Sequence, residues 1–188
     1  MMTKKYQAIY VDPPWPQIMA GKYRTRHRHI TTLPYPTMTV EEIKGLPIES
    51  IAEKGCHLWL WTTNQFLQEG FEVMDAWGFK YLAPITWVKP SGCGNYFISV
   101  TQTLLFGYKE KCIFPLARYK PTVLYAGLPC RHSQKPQEVY KLIESISPEP
   151  RIELFARQKV EGWDSIGFDI DGCDIKESLD KLGLAVEV

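Results

Sequence analysis

The chain of 188 residues carries 22 Lys and Arg against 21 Asp and Glu, a formal charge of +1, and is 45% hydrophobic and 23% charged. That balance is ordinary for a globular protein and excludes a disordered chain, a collagen and a disulfide scaffold. The densest apolar run, Leu58-Trp59-Leu60-Trp61, is far short of the ~20 residues a membrane-spanning helix needs. The opening residues up to Gln7 hold no apolar run of the kind a secretory signal requires.

In chain order, Tyr6 to Val11 is a short β-branched and apolar run that stops at Asp12-Pro13-Pro14, where two prolines end a central strand. Residues 56–61 form a second such run. Over 63–77 the spacing of Leu67, Phe71, Met74 and Trp77 predicts a helix, closed by Gly78. Residues 81–88, 103–108 and 123–126 read as strands. A helix is expected over 137–146, with Val139, Leu142, Ile143 and Ile146 on one face and Pro136 near its start. A final strand is expected at 151–156. This alternation predicts an α/β fold: one mostly parallel sheet with helices on both faces. Length favours a single domain over 1–188, with a core at about 6–172 and a C-terminal tail at 173–188. Such sheets bind ligands beyond the carboxyl ends of their strands, where Asp12 follows the first strand and Arg157 the last. Trp59, Trp61 and Trp87 are expected to be core residues.

The five cysteines (Cys56, Cys93, Cys112, Cys130, Cys173) are widely spaced and include no C-x-x-C pair. No metal is expected, since Cys130-x-His132 and His27-x-His29 offer isolated donors rather than a ligand set. Free thiols suit a reducing cytoplasm, the expected location. Lys22, Arg24, Arg26 and Arg28 lie in one stretch with His27 and His29 and no acid, followed by Pro34-Tyr35-Pro36. Clustered cations beside a ring suit the phosphates and bases of a nucleic acid.

Asp12-Pro13-Pro14-Trp15 carries the most chemistry. Neither proline has an N–H, so the turn offers a carboxylate and carbonyl oxygens with few competing donors. Those acceptors suit an exocyclic amine, and the indole offers a flat face for its ring. The tetrapeptide resembles motif IV of N6-adenine methyltransferases, and the chain from 6 to 172 is similar to the MT-A70 family in particular. Supporting segments are Tyr35-Pro36-Thr37-Met38, Leu58-Trp59-Leu60-Trp61, Trp87-Val88-Lys89, Ser133-Gln134-Lys135-Pro136, Glu153-Leu154-Phe155-Ala156-Arg157 and Trp163-Asp164-Ser165-Ile166-Gly167, in the family's order.

The resemblance implies a Rossmann-like methyltransferase fold and transfer of a methyl group from S-adenosylmethionine to adenine N6 in nucleic acid, DNA favoured over RNA. By the same likeness Asp12, Pro13, Pro14 and Trp15 would be catalytic. Asp12, Lys135, Phe155, Arg157, Gly167 and Asp169 would hold the cofactor, and Tyr35 with Lys22, Arg24, Arg26 and Arg28 the substrate. A homodimer or a related subunit is a possible partner, and no membrane is expected. Two departures stand out: Phe168-Asp169 follows Gly167 where the family has Asn, and Gln102 sits where it often has Glu. They motivate an alternative, a catalytically silent scaffold that binds nucleic acid or supports a partner subunit. A third reading, transfer to a small molecule or protein amide, is disfavoured by the basic stretch.

Overall fold

In a computed structural model, residues 4–16, 36–93, 97–111, 120–127 and 135–184 are described. Their strands are β1 (Tyr6–Val11), β2 (Ala52–Thr62), β3 (Lys80–Cys93), β4 (Ser99–Tyr108), β5 (Val123–Tyr125), β6 (Arg151–Leu154) and β7 (Asp164–Ile166). They form one sheet in the order β5-β3-β4-β2-β1-β6-β7. The helices are α1 (Val40–Lys44), α2 (Ile48–Ile51), α3 (Leu67–Ala76), α4 (Glu138–Glu144), α5 (Phe168–Asp171) and α6 (Ile175–Leu184).

The sheet is mostly parallel, as the alternation of elements requires: β1 runs with β2 and β6, β6 with β7, and β3 with β5. Only β4 opposes its neighbours β2 and β3. The reason is the linker, since residues 94–98 are too few for the crossover that a parallel pair needs. The chain winds from β1 outward to β2 in one direction and returns through β6 to β7 in the other. The β1/β6 boundary is therefore the topological switch point, where ligands of such sheets bind.

Strand alternation sends side chains into two cores. Ile9, Val11, Leu58 and Leu60 meet Ile43 of α1, Ile48 of α2, Val73 and Met74 of α3, and Ile175 and Leu179 of α6. Residues in the expected C-terminal tail are thus built into the body of the protein. On the other face Tyr10, Trp59, Trp61 and Trp87 meet Val139, Tyr140 and Ile143 of α4. The three tryptophans expected to be core residues are all buried.

The helix expected over 63–77 divides. Asn64–Phe66 is a 3₁₀ turn, and α3 starts only at Leu67. The Thr62 hydroxyl donates to the Phe66 carbonyl at 2.7 Å and diverts it at the junction. The sequence reading placed no element at α1, although Thr39-Val40-Glu41-Glu42 spells a capping box. Glu42 accepts from the Thr39 N–H at 2.7 Å, and the Thr39 hydroxyl accepts from the Glu42 N–H at 3.2 Å. α2, α5, α6 and β7 went equally unread.

Candidate active site

Val11 and Leu154 are a paired register position of the parallel β1/β6 ladder. The next residues, Asp12 and Phe155, therefore leave adjacent strands side by side at the switch point. Lys135, just ahead of α4, reaches the same place. Its Nζ donates to Asp12 Oδ2 at 2.6 Å, with side chains only 12% and 21% exposed respectively. Two charges held this close at a half-buried rim form a charge-assisted pair rather than a solvated surface contact. The ammonium also lies 5.4 Å from the centroid of Trp61, within cation–π range.

A buried polar layer lies beneath. Trp61 Nε1 donates to the Tyr10 hydroxyl at 2.8 Å, and the Tyr140 hydroxyl donates to Glu153 Oε2 at 2.9 Å. Tyr10 and Glu153 are register partners, so their side chains share the α4 face. Burial pushes the Glu153 carboxyl up to about 7; the Tyr140 hydroxyl opposes the shift, the Asp12 charge adds to it and the Lys135 ammonium opposes it. Burial likewise holds the Tyr10 and Tyr140 hydroxyls well above the ordinary phenol range. This layer was missed in the sequence; the signal was an acid in the otherwise apolar run Ile152-Glu153-Leu154-Phe155.

The proline turn is tied down on both sides. The Trp15 N–H donates to the Pro13 carbonyl at 2.9 Å, closing a γ-turn over Pro14, and the Met38 N–H donates to the Pro14 carbonyl at 2.9 Å. Each carbonyl keeps a second acceptor position. The Pro14–Met38 bond also brings the chain following Tyr35 back against the motif. The indole of Trp15 is 8% exposed, stacked on Phe66 at 5.5 Å and 12°. Its Nε1 donates to the Trp61 carbonyl at 2.9 Å. The structure thus gives Trp15 an anchoring role, with one face taken by Phe66.

On the β6 side, Phe155 is half-buried and has φ 59°, a left-handed conformation that costs a non-glycine residue of order 1–3 kcal/mol. The Ala156 N–H donates to the Ile166 carbonyl at 2.9 Å. Gly167 has φ 153°, and a Cβ there would lie 2.8 Å from both the N and O of Ala156. Its glycine lets the chain leaving β7 pass directly over Phe155-Ala156. Arg157 is half-buried beyond this point, and Asp169 is exposed in the first turn of α5, next to Phe168, which is 74% exposed.

The structure brings Asp12, Pro13, Pro14, Trp15 and Lys135 into one constellation and sets Phe155 beside it, with Gly167 against Phe155-Ala156 and Arg157 two residues past Phe155. Tyr35, Lys22, Arg24, Arg26 and Arg28, like His27, His29, Cys130 and His132, lie outside the described residues. Among the described residues no group of His, Cys, Asp or Glu could hold a metal ion, and no helix is long and apolar enough to cross a membrane. Cys56 and Cys173 are free thiols, the buried Cys56 thiol pushed up to about 12 by desolvation.

Chemically, the rim offers an ammonium, a carboxylate and carbonyl acceptors within a few ångströms. That set matches a zwitterionic amino-acid group together with a second amine.

Comparison with known proteins agrees with this geometry. The chain is 31% identical over 185 residues to the type II methyltransferase M.MunI of a Mycoplasma species, covering 89% of this chain and 78% of that protein. It is 31% identical over 184 residues to the human N(6)-adenosine-methyltransferase catalytic subunit METTL3, and 29% identical over 184 residues to a Drosophila melanogaster N(6)-adenosine-methyltransferase MT-A70-like protein. Those two matches cover 89% of this chain but only 29% and 27% of the respective relatives. The MT-A70 family profile matches residues 6–169. With the proline turn and its lysine partner at the switch point of the sheet, the chain is a methyltransferase of the MT-A70 family.

Proposed function

We propose that this protein methylates N6 of adenine in nucleic acid, DNA in preference to RNA, with S-adenosylmethionine as methyl donor. The observation that carries the reading is the Asp12–Lys135 pair beside the proline turn, at 2.6 Å. The donor set fits the cofactor. Lys135 suits its carboxylate and Asp12 its ammonium, while Phe155, Arg157, Gly167 and Asp169 would line the side toward its nucleoside. When bound, S-adenosylmethionine supplies a methyl group already made electrophilic by its sulfonium.

The protein then has to orient and to accept. Asp12 and the free acceptor positions of the Pro13 and Pro14 carbonyls hold the N–H groups of the adenine amine, drawing its lone pair out of conjugation and toward the methyl group. As the carbon–nitrogen bond formed and the carbon–sulfur bond broke, positive charge would grow on nitrogen, where these acceptors are already in place to stabilise it and to take up the N–H proton that the methylated amine must lose. Holding both reactants in line is the larger part of the catalysis, since no enzyme nucleophile is needed. Trp15, locked on Phe66 and Trp61, keeps the turn from yielding as the base enters. A base paired in a duplex would have to leave the stack to reach this corner.

DNA is favoured by the likeness to the type II methyltransferase M.MunI. The basic stretch at Lys22, Arg24, Arg26 and Arg28 would hold phosphates, with Tyr35 near the base. Pairing with a second copy or a related subunit, and a cytoplasmic setting, belong to the same proposal. The test is incubation with methyl-labelled cofactor and matched DNA and RNA oligonucleotides, followed by digestion to nucleosides. Label in N6-methyldeoxyadenosine above N6-methyladenosine is expected; label in neither nucleoside would refute the reading.

A further inference from the structure

The near-zero net charge conceals a sharp partition. Residues 13–40 and 76–137 together hold twelve Lys or Arg and a single acid, Glu110, whereas the rest of the chain holds ten and twenty. Part of this is the basic stretch already discussed. The larger share belongs to β3, β4, β5 and their connections, and from Lys80 to Lys109 there is no carboxylate at all.

One face of that wing carries exposed side chains toward its upper end among the described residues. Ile85 and Trp87 point into the α4 core, so Thr86 and Val88 point to the opposite side. Val88 pairs with Tyr125 of β5 on one side and with Thr101 of β4 on the other, which puts all three on the same face. Tyr125 is 78% exposed, and Val88 and Thr101 are half-buried. The row continues toward the site. Asn64 Nδ2 lies 3.4 Å from Thr101 Oγ1 and 2.9 Å from Ser99 Oγ. Asn64 belongs to the 3₁₀ turn whose Phe66 stacks under Trp15. At the tip of the β3–β4 hairpin Phe97 is 90% exposed.

We propose that this open face is the track for single-stranded nucleic acid flanking the target adenine. Tyr125 and Phe97 serve as stacking platforms, so that Asn64 and Trp15 lead the strand into the proline corner. This rests on the functional reading above and adds a surface to it. The chemistry is that of sheets that bind unpaired bases: exposed aromatic rings on a β-branched floor, which accept any base by its π-face, in a field free of carboxylates. The absence of acids over thirty residues favours a polyanion over a protein partner.

The experiment is fluorescence anisotropy of a labelled 20-nucleotide single strand on the full chain, alongside methyl transfer to the same strand and to a trinucleotide. Tyr125→Ala combined with Phe97→Ala should weaken binding of the long strand about tenfold or more and raise its KM in step, while the KM of the trinucleotide moves less than twofold. Tyr125→Phe, which keeps the ring, should restore most of the loss due to Tyr125→Ala. Calorimetric affinity for S-adenosylmethionine reports that each variant is folded. Wild-type methylation of nucleic acid with unchanged long-strand binding in the double variant would refute this surface and leave the enzyme reading intact. Failure of wild type to methylate any nucleic acid would remove both. Dissociation of a wild-type oligomer by Tyr125→Ala, with strand binding retained, would show the face to be a protein interface and overturn the proposal.

Discussion

Asp12 is asked to do three things: receive the adenine amine, hold the cofactor's ammonium and partner Lys135. Replacing Asp12 by Asn keeps the size but removes the charge and one acceptor. The expected result is a fall in methyl transfer of about 10²–10³-fold, read in single turnover at saturating cofactor. Lys135→Met removes a charge-assisted contact generally worth about 1.5–3 kcal/mol. It should weaken cofactor binding about 10–100-fold in a calorimetric titration. Glu153 yields a prediction about stability. Its carboxyl is held up at about 7 by burial, with the Tyr140 hydroxyl, the Asp12 charge and the Lys135 ammonium around it. A carboxyl raised above its unfolded value binds more protons folded than unfolded. Stability contributed by that proton is therefore complete below the unfolded carboxylate range and lost as pH rises toward 7. Glu153→Gln should raise the melting temperature over wild type at pH 8 and leave it nearly unchanged at pH 4; the reverse pattern would show that Glu153 is held as an anion. Asp12 and Lys135 were readable from residue type and motif order, whereas their 2.6 Å contact was not, because 123 positions separate them. Glu153 was passed over because an acid in a buried strand has no periodicity to announce it.

The proline turn is an element whose geometry is imposed by its neighbours. Trp15→Phe keeps the stack on Phe66 but loses the bond to the Trp61 carbonyl. It should cost about 1 kcal/mol in denaturant unfolding, against about 3–5 kcal/mol for Trp15→Ala, which also opens a cavity. Both should lower transfer, because the turn loosens. At the other rim Gly167→Ala would drive a methyl carbon to within 2.8 Å of Ala156 backbone at a positive φ. Loss of stability by about 2 kcal/mol or more is expected. β1 was legible to the residue because Pro13-Pro14 cuts it off, and α4 because its apolar face is periodic. The short elements α1, α2, α5 and β7 have three to five residues each. That is too little for a periodicity to show, and only the capping box of α1 left a trace. The sense of β4 followed from the hairpin, which a reading of strands one at a time does not deliver.

Along the chain, the acids gather in the helices of one half, while residues 13–40 and 76–137 carry the excess cations. Charge reversal at Arg24, Arg26 and Arg28 should therefore weaken strand binding and reduce its salt sensitivity. With three phosphate contacts on a single strand, raising salt fourfold should cost wild type about twentyfold in affinity. The parallel sheet and its ligand-binding rim could be inferred from the order of elements, and the resemblance to the MT-A70 family followed from the order of motifs. The formal sum of +1 says nothing of how the charges are divided along the chain. The most direct measurement is one rate comparison, wild type against Asp12→Asn, with methyl-labelled S-adenosylmethionine and an adenine-containing strand in single turnover. The account predicts label on adenine N6 with wild type and a loss of at least a hundredfold with the variant. Equal rates, or label on any atom other than N6, would contradict it.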